Sequence, residues 1–280
     1  MAPGTYTVKN SIVQGRGGAI PVRDYLPATE SDGAAFLWVH GGGFVAGGLD
    51  QKESDAPARY LAARGRRVRT IDYRLVTGVH LFREPDLRPQ PNRFPAALHD
   101  VVDVAADLAA VTGRGIAMGG ASAGANLAAG ATMFIRDEGA SVPVTLVLLY
   151  GAFHSAVPES PEVEQALRGP LVKWLFNPTM VRRIFLGYVG DPALFVPGYA
   201  APGGADLHGF PPTLSLDAET DRLRASGHAF ADDLRAASVD VHEEVVPGAR
   251  HGFLNAYKKA PFTNSMATVD DWLRAHDDSK

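Results

Sequence analysis

A chain of 280 residues, 46% hydrophobic and 21% charged, is long enough for one large domain with a sizeable buried core. Its 27 Lys and Arg against 31 Asp and Glu leave a formal charge of -4 with no clustered basic run, which argues against a nucleic-acid partner. The absence of Cys excludes disulfides, a thiolate nucleophile and a Cys-ligated metal.

Residues 1–10 lack the basic start and apolar stretch of a secretory signal. The most apolar stretch, 142–153, is broken by Pro143 and is shorter than the roughly 20 residues a membrane crossing needs. The chain therefore reads as soluble and cytoplasmic, with no membrane partner. Short apolar runs then alternate with segments of helical period, the pattern of βα units around a mostly parallel sheet. AFLWV at 35–39 is a buried-strand run ending on His40 and three glycines, and RVRTIDY at 67–73 is the next strand. A helix over 94–110 places Leu98, Val101, Val102, Ala105 and Leu108 on one face and Asp100, Asp103 and Asp107 on the other.

A strand over 115–118 runs into Gly119 and Gly120, with a helix over 123–136 behind it. VTLVLLY at 144–150 is β-branched and unbroken, as a central strand should be. Strands over 213–216 and 239–246 flank an amphipathic helix over 222–237, and a helix over 264–275 closes the chain. Two stretches break the alternation: a polar insertion over 76–93 with Pro85, Pro89 and Pro91, and an aromatic-rich excursion over 152–210 without a convincing strand. Long excursions between core elements tend to serve as lids or binding loops, so both are expected on top of the sheet of a single domain spanning 1–280.

Gly120-Ala121-Ser122-Ala123-Gly124 puts a Ser on a sharp strand-to-helix turn, which pushes its hydroxyl out over the sheet end and needs small flanking residues. The bland alternative is a Gly-rich turn with an incidental Ser. His40-Gly41-Gly42-Gly43 follows a strand too. Such a loop can turn its amides towards the negative charge that develops in acyl transfer, where losing one donor typically costs about 3 kcal/mol. The expected donors are Gly42, Gly43 and Ala123. A phosphate loop fits poorly, since no Gly-Lys-Ser/Thr follows. His40 is expected to brace the loop.

The base is expected after the last strand, where His251 stands in a Gly-bracketed loop. His99, His228 and His276 fall on predicted helices, His242 within a strand, and His80, His154 and His208 in the excursions. For the acid, the segment 216–221 offers Asp217, Glu219 and Asp221. Asp221 is preferred because it sits in the turn, although it could equally cap the helix from Arg222.

HGGGF at 40–44, DYRL at 72–75, FPAALHDV at 94–101, GASAGANLA at 120–128 and HGF at 251–253 occur in order, and the chain from about Ile20 onward resembles the hormone-sensitive-lipase-like carboxylesterases. The resemblance implies an α/β-hydrolase fold: a mostly parallel central sheet, flanking helices and a small helical lid over about 152–210. It implies a serine esterase acting on short- to medium-chain esters, a small-molecule substrate, no metal or organic cofactor, and room for a homodimer. It also maps the acid onto Asp221. The same triad could cleave an amide, a carbamate or an acetylated natural product. A receptor on this fold would be expected to have lost a triad member. Ala121 stands where the family commonly has Asp, the 76–93 insertion lengthens a normally short link, and the family's long N-terminal arm is mostly absent. A more open site, with the insertion replacing part of the lid, is the expectation.

Overall fold

The structure, a computed structural model, describes residues 4–79 and 83–277; His80 and residues 1–3 lie outside the described residues. Among the described residues eight strands form one sheet: β1 (Tyr6–Gly15), β2 (Gly18–Pro27), β3 (Ala35–Val39), β4 (Val68–Ile71), β5 (Ile116–Ala121), β6 (Leu146–Leu149), β7 (Thr213–Thr220) and β8 (Val241–Arg250). The spatial order is β1-β2-β4-β3-β5-β6-β7-β8, antiparallel at β1-β2 and β2-β4 and parallel from β4 onward.

Side chains two apart on a strand point to the same face, and the two halves of the core follow from that. Ala35, Leu37 and Val39 of β3 join Leu146 and Leu148 of β6 beneath α2 (Ala96–Thr112) and α3 (Ala123–Asp137). Phe36, Trp38, Val147 and Leu149 point the other way, against α1 (Lys52–Ala62) and α8 (Ala260–Ala275). Between β6 and β7 lie α4 (Pro161–Ala166), α5 (Pro170–Trp174) and α6 (Pro178–Val189), and α7 (Arg224–Ala236) joins β7 to β8.

Every core strand and helix expected from the sequence is present, β3 with the expected bounds and the others with shifted ends. β7 and β8 each run four residues past their predicted ends, β5 runs three past, and α8 starts four residues early. The hairpin β1-β2 and helix α1 were not anticipated. β1 is mostly exposed, so it carries little apolar alternation, and its tight turn is marked only by Gly15-Arg16-Gly17-Gly18. Pro57 inside α1 disguises the helix.

The period separates the aspartates of α2 correctly, and each of them meets an arginine at the antiparallel side of the sheet, with Asp107 still partly exposed. Asp100 is fully buried and grips Arg74 (Nη2 to Oδ1 2.7 Å), Asp103 holds Arg16 (2.8 Å), and Asp107 pairs with Arg69, which also binds Asp24 at 2.9 Å. A periodicity argument treats charge as solvent-seeking and does not see that the opposing surface supplies arginines.

Candidate active site

The parallel strands bring the singled-out residues to one edge. Gly41 to Gly43 follow β3, Ser122 follows β5, Asp221 follows β7 and His251 follows β8, all at carboxyl ends. Ser122 adopts φ 54° between β5 and α3 and is mostly buried. The turn is close enough that a Cβ on Gly124 would stand 2.1 Å from the Val39 carbonyl oxygen, so only glycine fits there.

Ser122 Oγ lies 3.0 Å from His251 Nε2, and His251 Nδ1 lies 2.6 Å from Asp221 Oδ2. The other Asp221 oxygen accepts from the Leu223 amide at 3.0 Å, so this carboxylate both caps a turn and faces the imidazole. Burial alone would drag the His251 pKa down. The charge and hydrogen bond of Asp221, with a further contribution from Glu53, outweigh it and leave the imidazole above its ordinary value.

The second-choice carboxylates go elsewhere. Glu219 accepts from the Gly248 amide at 2.6 Å. Asp217 is fully buried with neither oxygen partnered, against Gly227 of α7. Burial, with the charges of Asp221 and Glu243, holds its carboxyl well above the usual range and so favours its neutral form. A carboxyl raised in this way favours folding only at low pH, and that contribution is lost as pH rises from the ordinary Asp value towards the folded one. Asp217→Asn is therefore expected to raise the melting temperature by a few degrees at pH 8 and to leave it nearly unchanged near pH 4. Parallel thermal melts at the two pH values check this; equal shifts at both would contradict it.

The glycine loop stands over Ser122. Gly42 has φ 121°, and a Cβ there would meet the Ala46 carbonyl oxygen at 1.9 Å, so this position too requires glycine. The Gly41 amide is occupied by Glu53 (2.8 Å), whereas the amides of Gly42, Gly43 and Ala123 have no partner among the described residues. Gly43 and Ala123 line the cavity at Ser122 and Gly42 does not. His40 is buried and stacked on Tyr73 (ring centroids 4.3 Å), with Nδ1 donating to the Gly41 carbonyl at 2.7 Å. Burial lowers its pKa to about 4, so it braces the loop as a neutral ring.

Two depressions meet the site. A cavity of about 30 Å³ above Ser122 is lined by Phe44, Phe176, Val181, Ile184 and Phe185 among others, and a cleft of about 150 Å³ beside His251 is lined by Leu175, Phe176, Arg222 and Arg250 among others. A wider groove of about 560 Å³ lies between α2 and α3, away from these residues. Of the five non-glycine residues with positive φ among the described residues, four (Phe44, Ser122, Tyr150 and Phe176) stand at the site. Backbone strain concentrated in this way is typical of functional sites.

Phe44, Tyr150, Phe176, Ile184 and Glu53 escaped the sequence reading. Phe176, one of the aromatics of the 152–210 excursion, has its ring 4.3 Å from that of His251. A look-alike occurs nearby: His154 Nδ1 lies 2.9 Å from Ser226 Oγ, with Asp233 3.6 Å from the other ring nitrogen. Ser226 is wholly buried and its hydroxyl accepts from the amides of Phe153 and His154, so this set ties a loop to α7.

Comparison with known proteins agrees with this geometry. A family model described as alpha/beta hydrolase fold matches residues 36–255. Carboxylesterase NlhH of Mycobacterium tuberculosis is 33% identical over 240 residues, covering 84% of this chain and 72% of the relative. Ethyl acetate hydrolase of Pseudomonas putida is 29% identical over 255 residues, covering 85% and 73%. The solved esterase of Pyrobaculum calidifontis superposes with a TM-score of 0.83 at 30% identity, covering 98% of this chain and 87% of that one. No helix among the described residues is long and apolar enough to cross a membrane. The chain belongs to the α/β-hydrolase family, among its hormone-sensitive-lipase-like carboxylesterases.

Proposed function

We propose that this protein hydrolyses short-chain carboxylic esters through an acyl-enzyme on Ser122. The observation that carries the reading is the continuous chain from Ser122 Oγ through His251 to a buried Asp221 at the carboxyl edge of the sheet. Asp221 holds the imidazole with its proton on Nδ1, leaving Nε2 to accept the Ser122 proton as Oγ attacks the ester carbonyl. The amides of Gly42, Gly43 and Ala123 stabilise the oxyanion. His251 then protonates the departing alkoxide, and water activated by the same imidazole releases the acid. Relatives named ethyl acetate hydrolase and acetyl esterase support a small acyl group.

The cavity above Ser122 supports the same limit. About 30 Å³ holds two or three groups of water size, at 10–15 Å³ each. Its outer wall comes from Val181, Ile184 and Phe185 of α6. Residues 152–210 therefore act as the lid, and the 76–93 insertion completes it: Glu84 binds Arg182 and Arg183 of α6 (3.1 and 3.2 Å), and Val79 packs against Gly187.

The test is hydrolysis of p-nitrophenyl esters from acetate to palmitate. Acetate and butyrate should be the best substrates of the wild type. Ile184→Ala should move the optimum to a longer chain, and shortening the insertion should alter the relative rates across the series. A wild-type optimum at palmitate, or rate ratios unmoved in both variants, would contradict the assignment.

A further inference from the structure

Glu53 lies in the first turn of α1, where a charged side chain would ordinarily reach for water, yet it is 2% exposed and turned inward beneath the glycine loop. Its Oε1 accepts from the Gly41 amide at 2.8 Å and from Gln51 Nε2 at 3.4 Å. Its Oε2 accepts from the Tyr150 hydroxyl at 2.7 Å and from Asn255 Nδ2 at 3.3 Å. Asn255 answers by accepting from the Glu53 amide at 3.3 Å, and the Glu53 carbonyl accepts from Trp38 Nε1 at 2.8 Å.

One carboxylate thus ties together three segments that carry the reaction: the loop after β3, the end of β6, and the turn after His251. No Lys or Arg pairs with it among the described residues; every partner at the carboxylate is a neutral donor. A buried charge left without a cation opposes folding, and hydrophobic or amide packing could fill the same space. Tyr150 connects it to the imidazole. The Tyr150 hydroxyl, held protonated by burial and by the Glu53 charge, binds Glu53, while its ring stands 5.1 Å from that of His251.

We propose that Glu53 is a positioning residue for hydrolysis: its carboxylate fixes the oxyanion loop and the His251 turn relative to each other, and its negative charge favours the imidazolium that forms at each proton transfer. This rests on the reading of Ser122 and His251 given above. The Glu53 charge is among the influences that hold the His251 pKa above its ordinary value against burial. The other charged or titratable groups facing His251 are Asp221 from the end of β7, Tyr150 from the end of β6, and Arg222 and Arg250 at the cleft. Tyr73 and Tyr150 are the titratable groups that feel Glu53 from the sheet side. All are left in place by a change at residue 53.

The experiment is the pH profile of kcat and kcat/KM on p-nitrophenyl acetate for the wild type, Glu53→Gln and Glu53→Asp, each checked for folding by circular dichroism. Glu53→Gln should lower kcat roughly tenfold with KM little changed. It should also move the acid limb of kcat/KM to lower pH, because a charge that favours imidazolium has been removed. Glu53→Asp keeps the charge and should keep the limb near its wild-type position while kcat stays reduced. A folded Glu53→Gln with a wild-type limb and wild-type kcat would overturn the proposal. Where Glu53→Gln does not fold, Tyr150→Phe and Asn255→Ala each delete one donor and leave the charge. Both should lower kcat without moving the limb, and wild-type kcat in both would overturn it. Hydrolysis surviving in Ser122→Ala would sink the underlying reading instead, so the two failures are distinct.

Discussion

Ser122→Ala should lower kcat for p-nitrophenyl acetate by roughly 10⁴- to 10⁶-fold while leaving the fold in place. The change deletes one oxygen whose only hydrogen-bond partner among the described residues is His251 Nε2 at 3.0 Å, and the strained backbone at φ 54° is the same for either residue. What survives is the modest acceleration from the glycine-loop amides and from binding. The contrast is Ser226→Ala. Losing that hydroxyl leaves the Phe153 and His154 amides unpaired in the interior, at about 1–3 kcal/mol of stability. Its kcat should stay within a few-fold of wild type. Initial rates and thermal melts on both variants check the pair. A Ser226 variant as inactive as Ser122→Ala, yet folded, would contradict the assignment.

The second large effect is expected at Asp221. Asp221→Asn should lower kcat by about 10⁴-fold, because an amide facing Nδ1 can hold the imidazole in the wrong tautomer and no longer offsets its charge. The sign of the pH effect follows from the same contact. Burial lowers the His251 pKa, and the Asp221 charge and hydrogen bond raise it above the ordinary value. The wild-type acid limb should therefore stand above pH 6.5, the unperturbed His value, and the residual activity of Asp221→Asn should have its limb at lower pH. Asp217→Asn, four residues earlier in the chain, should leave both rate and limb unchanged, because Asp217 makes no hydrogen bond to the triad and is not among the groups that shift His251. Equal losses in the two variants would mean that the acid has been misassigned.

Much of this site was legible because its chemistry is tied to strand ends. A Ser between small residues after a strand, a run of glycines after another, and a late His in a Gly-bracketed loop each need a particular backbone shape. The alternating core then brings them to one edge. The same reasoning recovered the parallel sheet, since 35–39 and 144–150 are apolar on both faces and had to be interior strands. It missed β1 and β2, whose outward faces are polar, and α1, which carries a proline and a buried glutamate. Glu53 lay beyond it for a physical reason. The value of a carboxylate in the first turn of a helix depends on what its oxygens meet, and Gly41, Tyr150 and Asn255 come from parts of the chain up to 202 residues away. The α6 part of the cavity wall was hidden likewise: Val181 and Ile184 are ordinary apolar residues until α6 is laid over Ser122.

The central claim is that Ser122 is the nucleophile, and stoichiometric labelling tests it most directly. The active protein is treated with a fluorophosphonate, digested, and the modified residue located by mass spectrometry. The account predicts one adduct per chain, on Ser122, with activity falling in proportion to labelling. An adduct on Ser226 or another residue that tracks the loss of activity, or complete inactivation with Ser122 unmodified, would contradict it.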